Sequence, residues 1–176
     1  MRTMSVEIRA RICSSGRATF ATQAHQRIDH RRKYSQQPYD VHLGAVAELV
    51  ATVSDDAEML AAAWLHDIVE DTPVTLEEVE REFGPGVASL VKELTDVSRP
   101  GDGNRAARKA IDRGHLAIAS PRAKTIKLAD LCDNARDICR RRRPEIRPRL
   151  PGRDGGPAGG AGRGGRPHAG QGPPGA

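Results

Sequence analysis

The chain has no apolar run approaching the ~20 residues that a membrane span requires. No segment shows the strict apolar–polar alternation of a half-buried strand, and no stretch repeats. Cysteine is scarce. Cys13, Cys132 and Cys139 are an odd set without metal-ligand spacing, which argues against a disulfide framework or a thiolate metal site. They read as reduced thiols, small buried or half-buried side chains in a reducing compartment. Arg2, Arg9 and Arg11 are followed by no apolar core of a signal peptide. The expectation is a cytoplasmic, all-α protein without a membrane partner.

Positive charge is unevenly placed. The net charge of +5 over 176 residues suggests a nucleic-acid binder. Residues 140–176, however, hold nine Arg against Glu145 and Asp154, together with 11 of the 18 Gly and seven of the 12 Pro. The other 139 residues carry 19 basic and 21 acidic groups, so the body is mildly acidic and a nucleic-acid partner is not expected. Three segments follow: a disordered N-terminus over 1–17, one folded domain over 18–139, and a disordered Arg/Gly/Pro-rich tail over 140–176.

Helical periodicity runs through the folded part. Phe20, Ala21 and Ala24 mark a helix from Ala18 to about His25, and the basic, turn-rich stretch from His30 to Asp40 reads as a loop. Val46, Leu49, Val50 and Val53 form one apolar stripe on a helix from His42 to Val53. Asp55 or Asp56 can cap a helix expected to run unbroken to about Asp71; its apolar centre suits the middle of a bundle. Thr75 and Glu78 form a capping-box pattern for the next helix. Val87–Leu94, Arg105–Ala119 and Arg122 to about Arg141 complete the set.

Within the apolar helix, Leu65-His66-Asp67-Ile68-Val69-Glu70-Asp71 places ionisable groups where unpaired charge is costly. A divalent cation supplies a reason, because imidazole and carboxylate are both suitable ligands. On a continuous helix His66 shares a face with Glu70, and Asp67 with Asp71. Taken alone, a His-Asp pair reads more readily as a solvated face. Its setting adds His42, at the head of a helix, and Asp130, which shares a helix face with Asn134. His42, His66, Asp67 and Asp130 make four candidate ligands on three helices, with positions left for water and substrate.

The order His…His-Asp…Asp, with Arg32-Lys33-Tyr34-Ser35, Pro38-Tyr39, Glu70-Asp71-Thr72, Phe83-Gly84 and Lys127-Leu128-Ala129-Asp130, resembles the HD superfamily of metal-dependent phosphohydrolases. It is most similar to the hydrolase domain of RelA/SpoT-type proteins and to stand-alone small alarmone hydrolases. The likeness covers roughly residues 18–139. It implies a helical HD-domain bundle in which His42, His66, Asp67 and Asp130 hold one Mn²⁺. It also implies that Glu70 and Asp71 orient and deprotonate the attacking water. Arg32 and Lys33 would hold base and phosphates, and Tyr39 and Asn134 would line the nucleotide pocket. The implied reaction removes the 3′-pyrophosphate of (p)ppGpp, giving GDP or GTP. Alternatives are an HD phosphohydrolase of another nucleotide, such as NADPH or a nucleoside phosphate, and an inactive remnant damaged at its C-terminus.

Each assignment has a plainer reading. Arg32 and Lys33 can be loop charges, Asn134 a surface amide, and Tyr39 a packing residue. Asp133 and Asp137 read as surface acids, and His25, His30 and His115 as structural or exposed. Trp64 reads as core, and Arg105, Arg108 and Lys109 as a solvated face. The family commonly carries Gly where Gln36 stands, Gly-Gln where this chain has Asp29-His30-Arg31, and Pro where Leu43 stands. Family members continue beyond residue 139 with an amphipathic helix. Residues 143–158, back-translated and read one base later, can encode such a pattern. The tail is therefore expected to be a frameshift product and the domain to be C-terminally incomplete. No synthetase domain is expected.

Overall fold

The computed structural model describes residues 16–142. The expectations for residues 1–15 and 143–176, including the frameshift and Cys13, lie outside the described residues. Among the described residues eight α-helices follow in order: α1 (Gly16–Gln26), α2 (Asp40–Ala51), α3 (Ala57–Leu65), α4 (Ile68–Asp71), α5 (Leu76–Phe83), α6 (Pro85–Leu94), α7 (Arg105–Ile118) and α8 (Pro121–Arg142). A 3₁₀ turn, Pro100–Asp102, precedes α7. Among the described residues there is no strand, only an isolated bridge between Arg31 and Pro38, as the all-α reading expects. Gly16 and Arg17 are already helical, and α8 runs three residues past the expected boundary at 139. Among the described residues no helix is long and apolar enough to cross a membrane.

The core forms around α3. All seven residues from Met59 to Leu65 are buried, and the helix packs against α1, α2, α6 and α8. Its start is fixed by Asp56, whose side chain accepts from the Glu58 and Met59 amides, satisfying donors that a helix N-terminus leaves open. Arg122, in the first turn of α8, reaches Asp56 at 2.6 Å and Glu58 at 2.8 Å. That ties the two helices at one end. On α2, a Cβ at Gly44 would lie 3.2 Å from the Trp64 ring. The glycine therefore lets α2 lie close against α3, with His42 two residues earlier on the same helix. Thr75 and Glu78 make the expected capping box on α5, and Gly84, at φ 86°, ends that helix before Pro85 opens α6.

One expectation fails in a way that matters for the site. The helix starting near Asp56 does not run unbroken to Asp71. It ends at Leu65, and α4 begins at Ile68. Asp67, between them, has φ −105° and ψ 3°, in the sparsely populated bridge region. The cause lies in His66: its Nδ1 is 2.9 Å from the Ala63 carbonyl, so a side chain serves an acceptor of the last turn of α3. The turn re-aims His66 and Asp67, and the simple face-sharing of a continuous helix no longer applies.

Leu65 is fully buried at the point where α3 meets its neighbours. Leu65→Ala is expected to cost about 2–5 kcal/mol, read from urea denaturation followed by helical circular dichroism. A loss near zero would remove α3 from the centre of the fold.

Candidate metal centre

His42 sits in the first turn of α2, His66 and Asp67 in the break after α3, and Asp130 midway along α8. These three helices pack on one another, so residues up to 88 positions apart converge. His66 Nε2 lies 3.1 Å from Asp67 Oδ2 and 3.9 Å from Asp130 Oδ1. His42 Nε2 lies 3.3 Å from Asp130 Oδ1 and 3.9 Å from Asp67 Oδ2. His42, His66 and Asp67 each offer a ligand atom within 4.8 Å of the others. Asp130 joins them through the one oxygen that approaches both imidazoles.

The residues suit a cation on two grounds. Both imidazoles are almost wholly buried, and neither Nε2 finds a hydrogen-bond partner among the described residues. A buried, unpaired polar atom is unfavourable. Here two of them face two carboxylates. Each ring is also held from behind, His66 Nδ1 by the Ala63 carbonyl at 2.9 Å and His42 Nδ1 by Asp133 Oδ2 at 2.8 Å. With Nδ1–H donating, each Nε2 carries the lone pair a metal requires. The carboxylates are oriented in the same manner. Tyr39 donates to Asp67 at 2.5 Å, Asn134 donates to Asp130 at 2.5 Å, and Lys127 Nζ lies 2.9 Å from the other Asp130 oxygen.

Electrostatics agree. Burial pulls the His66 pKa down, but the charges of Asp67 and Asp130 outweigh it and raise it to about 9. Without an ion, a proton on His66 supplies the positive charge that the carboxylates demand. Burial likewise pushes the Asp67 carboxyl up, yet the His66 charge and the Tyr39 hydroxyl hold it well below the usual range. Asp130 is also held down despite its burial, chiefly by His42, His66 and Lys127. Beside this cluster, partial burial and then Asp96, Asp67 and Asp71 push the Glu70 carboxyl up to about 7. Burial and Asp67 raise Asp71 as well. Glu70 is thus placed to exchange a proton near neutrality.

Other sequence-based expectations are redistributed. Arg32 is buried, at 4% exposure, with Nη1 2.7 Å from Asp133 Oδ2 and Nε 3.4 Å from Asp137 Oδ2. Its guanidinium faces α8 and not solvent, whereas Lys33 is exposed. Asp133 and Asp137 are not surface acids; both are 5% exposed. Asp130, Asp133 and Asp137 stand at i, i+3 and i+7, the spacing of a core-facing stripe, and that spacing was the available signal. Cys132 and Cys139 are free thiols but exposed, not buried. His25 is buried and stacks, with His30, beside Tyr39. Gln36, at φ 59°, and Asp29, at φ 47°, both adopt the left-handed conformation that favours glycine. The Gln36 amide donates to the Arg32 and Lys33 carbonyls, which helps to hold it there. A cleft of ≈430 Å³ adjoins the cluster, with Asp130, Lys127, Asn134, Lys109 and Arg113 on its walls. Lys109, read as part of a solvated face, therefore lines the approach to the site.

Comparison with known proteins agrees with this geometry. The family described as HD domain matches residues 18–150. The guanosine-3′,5′-bis(diphosphate) 3′-pyrophosphohydrolase MESH1 of Drosophila melanogaster is 43% identical over 112 residues, covering 61% of this chain and 60% of that protein. The protein of the same name from Homo sapiens is 40% identical over 126 residues, 70% of this chain and 68% of that one. This chain thus spans about two thirds or less of the length of these relatives. A solved structure described as a metazoan ortholog of SpoT that hydrolyzes ppGpp superposes with TM-score 0.61 at 34% identity, over 79% of this chain and 74% of that one.

Metal binding should expel the proton that His66 carries below about 9. Between pH 7 and 8, Mn²⁺ titrations in buffers of different ionisation enthalpy should show release of about one proton per ion, with affinity rising roughly tenfold per pH unit until His66 is neutral. Affinity independent of pH over that range would show that His66 is not displaced.

Proposed function

The chain belongs to the HD-domain family, and on that premise we propose that it is a divalent-metal-dependent hydrolase of the 3′-pyrophosphate of (p)ppGpp, releasing pyrophosphate and GDP or GTP. The observation that carries the reading is the convergence of His42, His66, Asp67 and Asp130, with each buried Nε2 turned toward a carboxylate oxygen, at 3.3 and 3.1 Å, without a well-formed hydrogen bond. Relatives whose names state this reaction supply the substrate. The ion assigned to the four ligands is Mn²⁺, on the resemblance to RelA/SpoT-type hydrolases; the imidazole and carboxylate set itself calls for a divalent cation. The domain responsible is the helical part beginning near residue 18, and the few, oddly numbered cysteines of the chain fit a reducing, cytoplasmic setting.

When bound, the ion would supply Lewis-acid charge to the phosphoryl group and acidity to water. The chain's own residues do the rest. Glu70, with its carboxyl near 7, accepts the proton of the attacking water, and Asp71 orients that water beside it. Attack at the phosphorus bonded to the ribose 3′ oxygen breaks that P–O bond and frees pyrophosphate. Tyr39 stays protonated, because burial and Asp67 push its phenol far above the ordinary range. It remains a donor that fixes Asp67. Lys127, Lys109 and Arg113 line the cleft and provide positive charge for phosphates, with Lys33 at the exposed loop. Asn134 holds Asp130 and borders the nucleotide. Arg32, engaged with Asp133 and Asp137, is not directed at a substrate in this arrangement.

The direct test is pyrophosphate release from ppGpp by the 176-residue chain, with Mn²⁺ and with the ion chelated. Mn²⁺-dependent release supports the reading; none from a folded, Mn²⁺-loaded chain contradicts it. Asp67→Ala should abolish both metal binding and turnover. Glu70→Gln should keep the metal and lower kcat by about 10²–10⁴-fold. In the intact protein kcat/KM should rise with pH through a limb at or below about 7, because Glu70 must be ionised to accept a proton. That limb should vanish in Glu70→Gln. Lys109→Ala should act on KM more than on kcat, as measured by steady-state kinetics with ppGpp.

A further inference from the structure

We propose that Asp133, held in place by Arg32, is a positioning residue that sets the ring of His42 for metal binding. The inference rests on the reading of His42 as a ligand. Asp133 Oδ2 lies 2.8 Å from His42 Nδ1, and the two side chains are 6% and 1% exposed. An ionised carboxylate has no proton to give, so Nδ1–H donates and the lone pair is left on Nε2. That is the atom facing Asp67 and Asp130. A metal-ligating imidazole oriented through its other nitrogen by a carboxylate is a recurrent source of affinity.

Asp133 is itself constrained. Arg32 Nη1 reaches the same Oδ2 at 2.7 Å, Arg32 Nη2 donates to the Asp133 carbonyl at 3.4 Å, and Arg32 Nε lies 3.4 Å from Asp137. All three charged side chains are 5% exposed or less by residue. A buried charged network of this kind is weak evidence of stabilisation, because desolvation opposes the ion-pair attraction. Its placement has a functional consequence. The oxygen that Arg32 clamps is the oxygen that fixes His42. Asp133 is also three residues from Asp130, so consecutive turns of α8 supply one ligand and the holder of another. His66 is oriented differently, by the Ala63 carbonyl of its own helix. His42 has Asp133 instead, reached across 91 residues of chain.

The test uses the full chain, with Mn²⁺ affinity read by electron paramagnetic resonance of the free ion and the His42 tautomer read by ¹⁵N NMR of the metal-free protein. In the wild type His42 should be the Nδ1–H form. Asp133→Ala should weaken Mn²⁺ binding by roughly 10–100-fold and turn His42 into a tautomer mixture. Asp133→Asn, whose amide oxygen still accepts from Nδ1–H, should restore most of the affinity and the single tautomer. Should Asp133→Ala not fold, the double variant Arg32→Met/Asp133→Leu removes both charges together, and it should fold while binding Mn²⁺ weakly. A folded Asp133→Ala or Arg32→Met/Asp133→Leu variant, with no acceptor left at position 133, that kept wild-type affinity and tautomer would overturn the proposal and leave the ion pair as a tie between loop and helix. If the wild type bound no Mn²⁺, the ligand reading would fail, and a mixed tautomer in the wild type would sink the positioning role independently.

Discussion

Two imidazoles and two carboxylates buried within one contact distance cannot all be satisfied by one another. Each Asp needs positive charge and each Nε2 needs a partner, in a region where water is largely excluded. In the metal-free protein a proton on His66 answers part of this demand, which is why its pKa is raised to about 9. A divalent cation answers it fully, with one positive centre for four ligand atoms. Much of the surrounding architecture serves to bring these atoms together: the tight approach of α2 to α3 at Gly44, the break between α3 and α4, and the Arg122 tie between α3 and α8.

Around the cluster lies a layer of oriented donors and acceptors. Tyr39, Asn134, Lys127, Asp133 and the Ala63 carbonyl each hold one ligand. The result is preorganisation, since little rearrangement is left to be made when an ion or a substrate binds. The reactive edge is different in kind. Glu70 and Asp71 are on the exposed side of α4, where partial desolvation raises both carboxyls, that of Glu70 to about 7. The adjoining cleft carries Lys109, Arg113 and Lys127 beside Glu93, Asp96 and Asp112. A rigid interior with a titratable rim suits proton-coupled hydrolysis.

Much of this was legible in the chain of residues. Apolar periodicity located the helices, Thr75 and Gly84 marked their ends, and the spacing of His42, His66, Asp67 and Asp130 identified the cluster. The break at His66 was not legible, because the local sequence is as helical as its surroundings; a side-chain bond to Ala63 decides it. The burial of Asp133, Asp137 and Arg32 was also missed. Charged residues are usually solvated, and only the three-dimensional meeting of the 27–39 loop with α8 shows that Arg32 pairs with both acids. Asp130, Asp133 and Asp137 do follow a core-like spacing, but spacing alone does not separate a buried ionic stripe from a solvated one.

The central claim is that the four converging side chains form one metal cage. Crystals of the protein grown with Mn²⁺, measured at a wavelength where manganese scatters anomalously, test it most directly. The account predicts a single strong peak bonded to His42 Nε2, His66 Nε2, Asp67 and Asp130. A peak at other residues, or none there from protein with bound Mn²⁺, would contradict it.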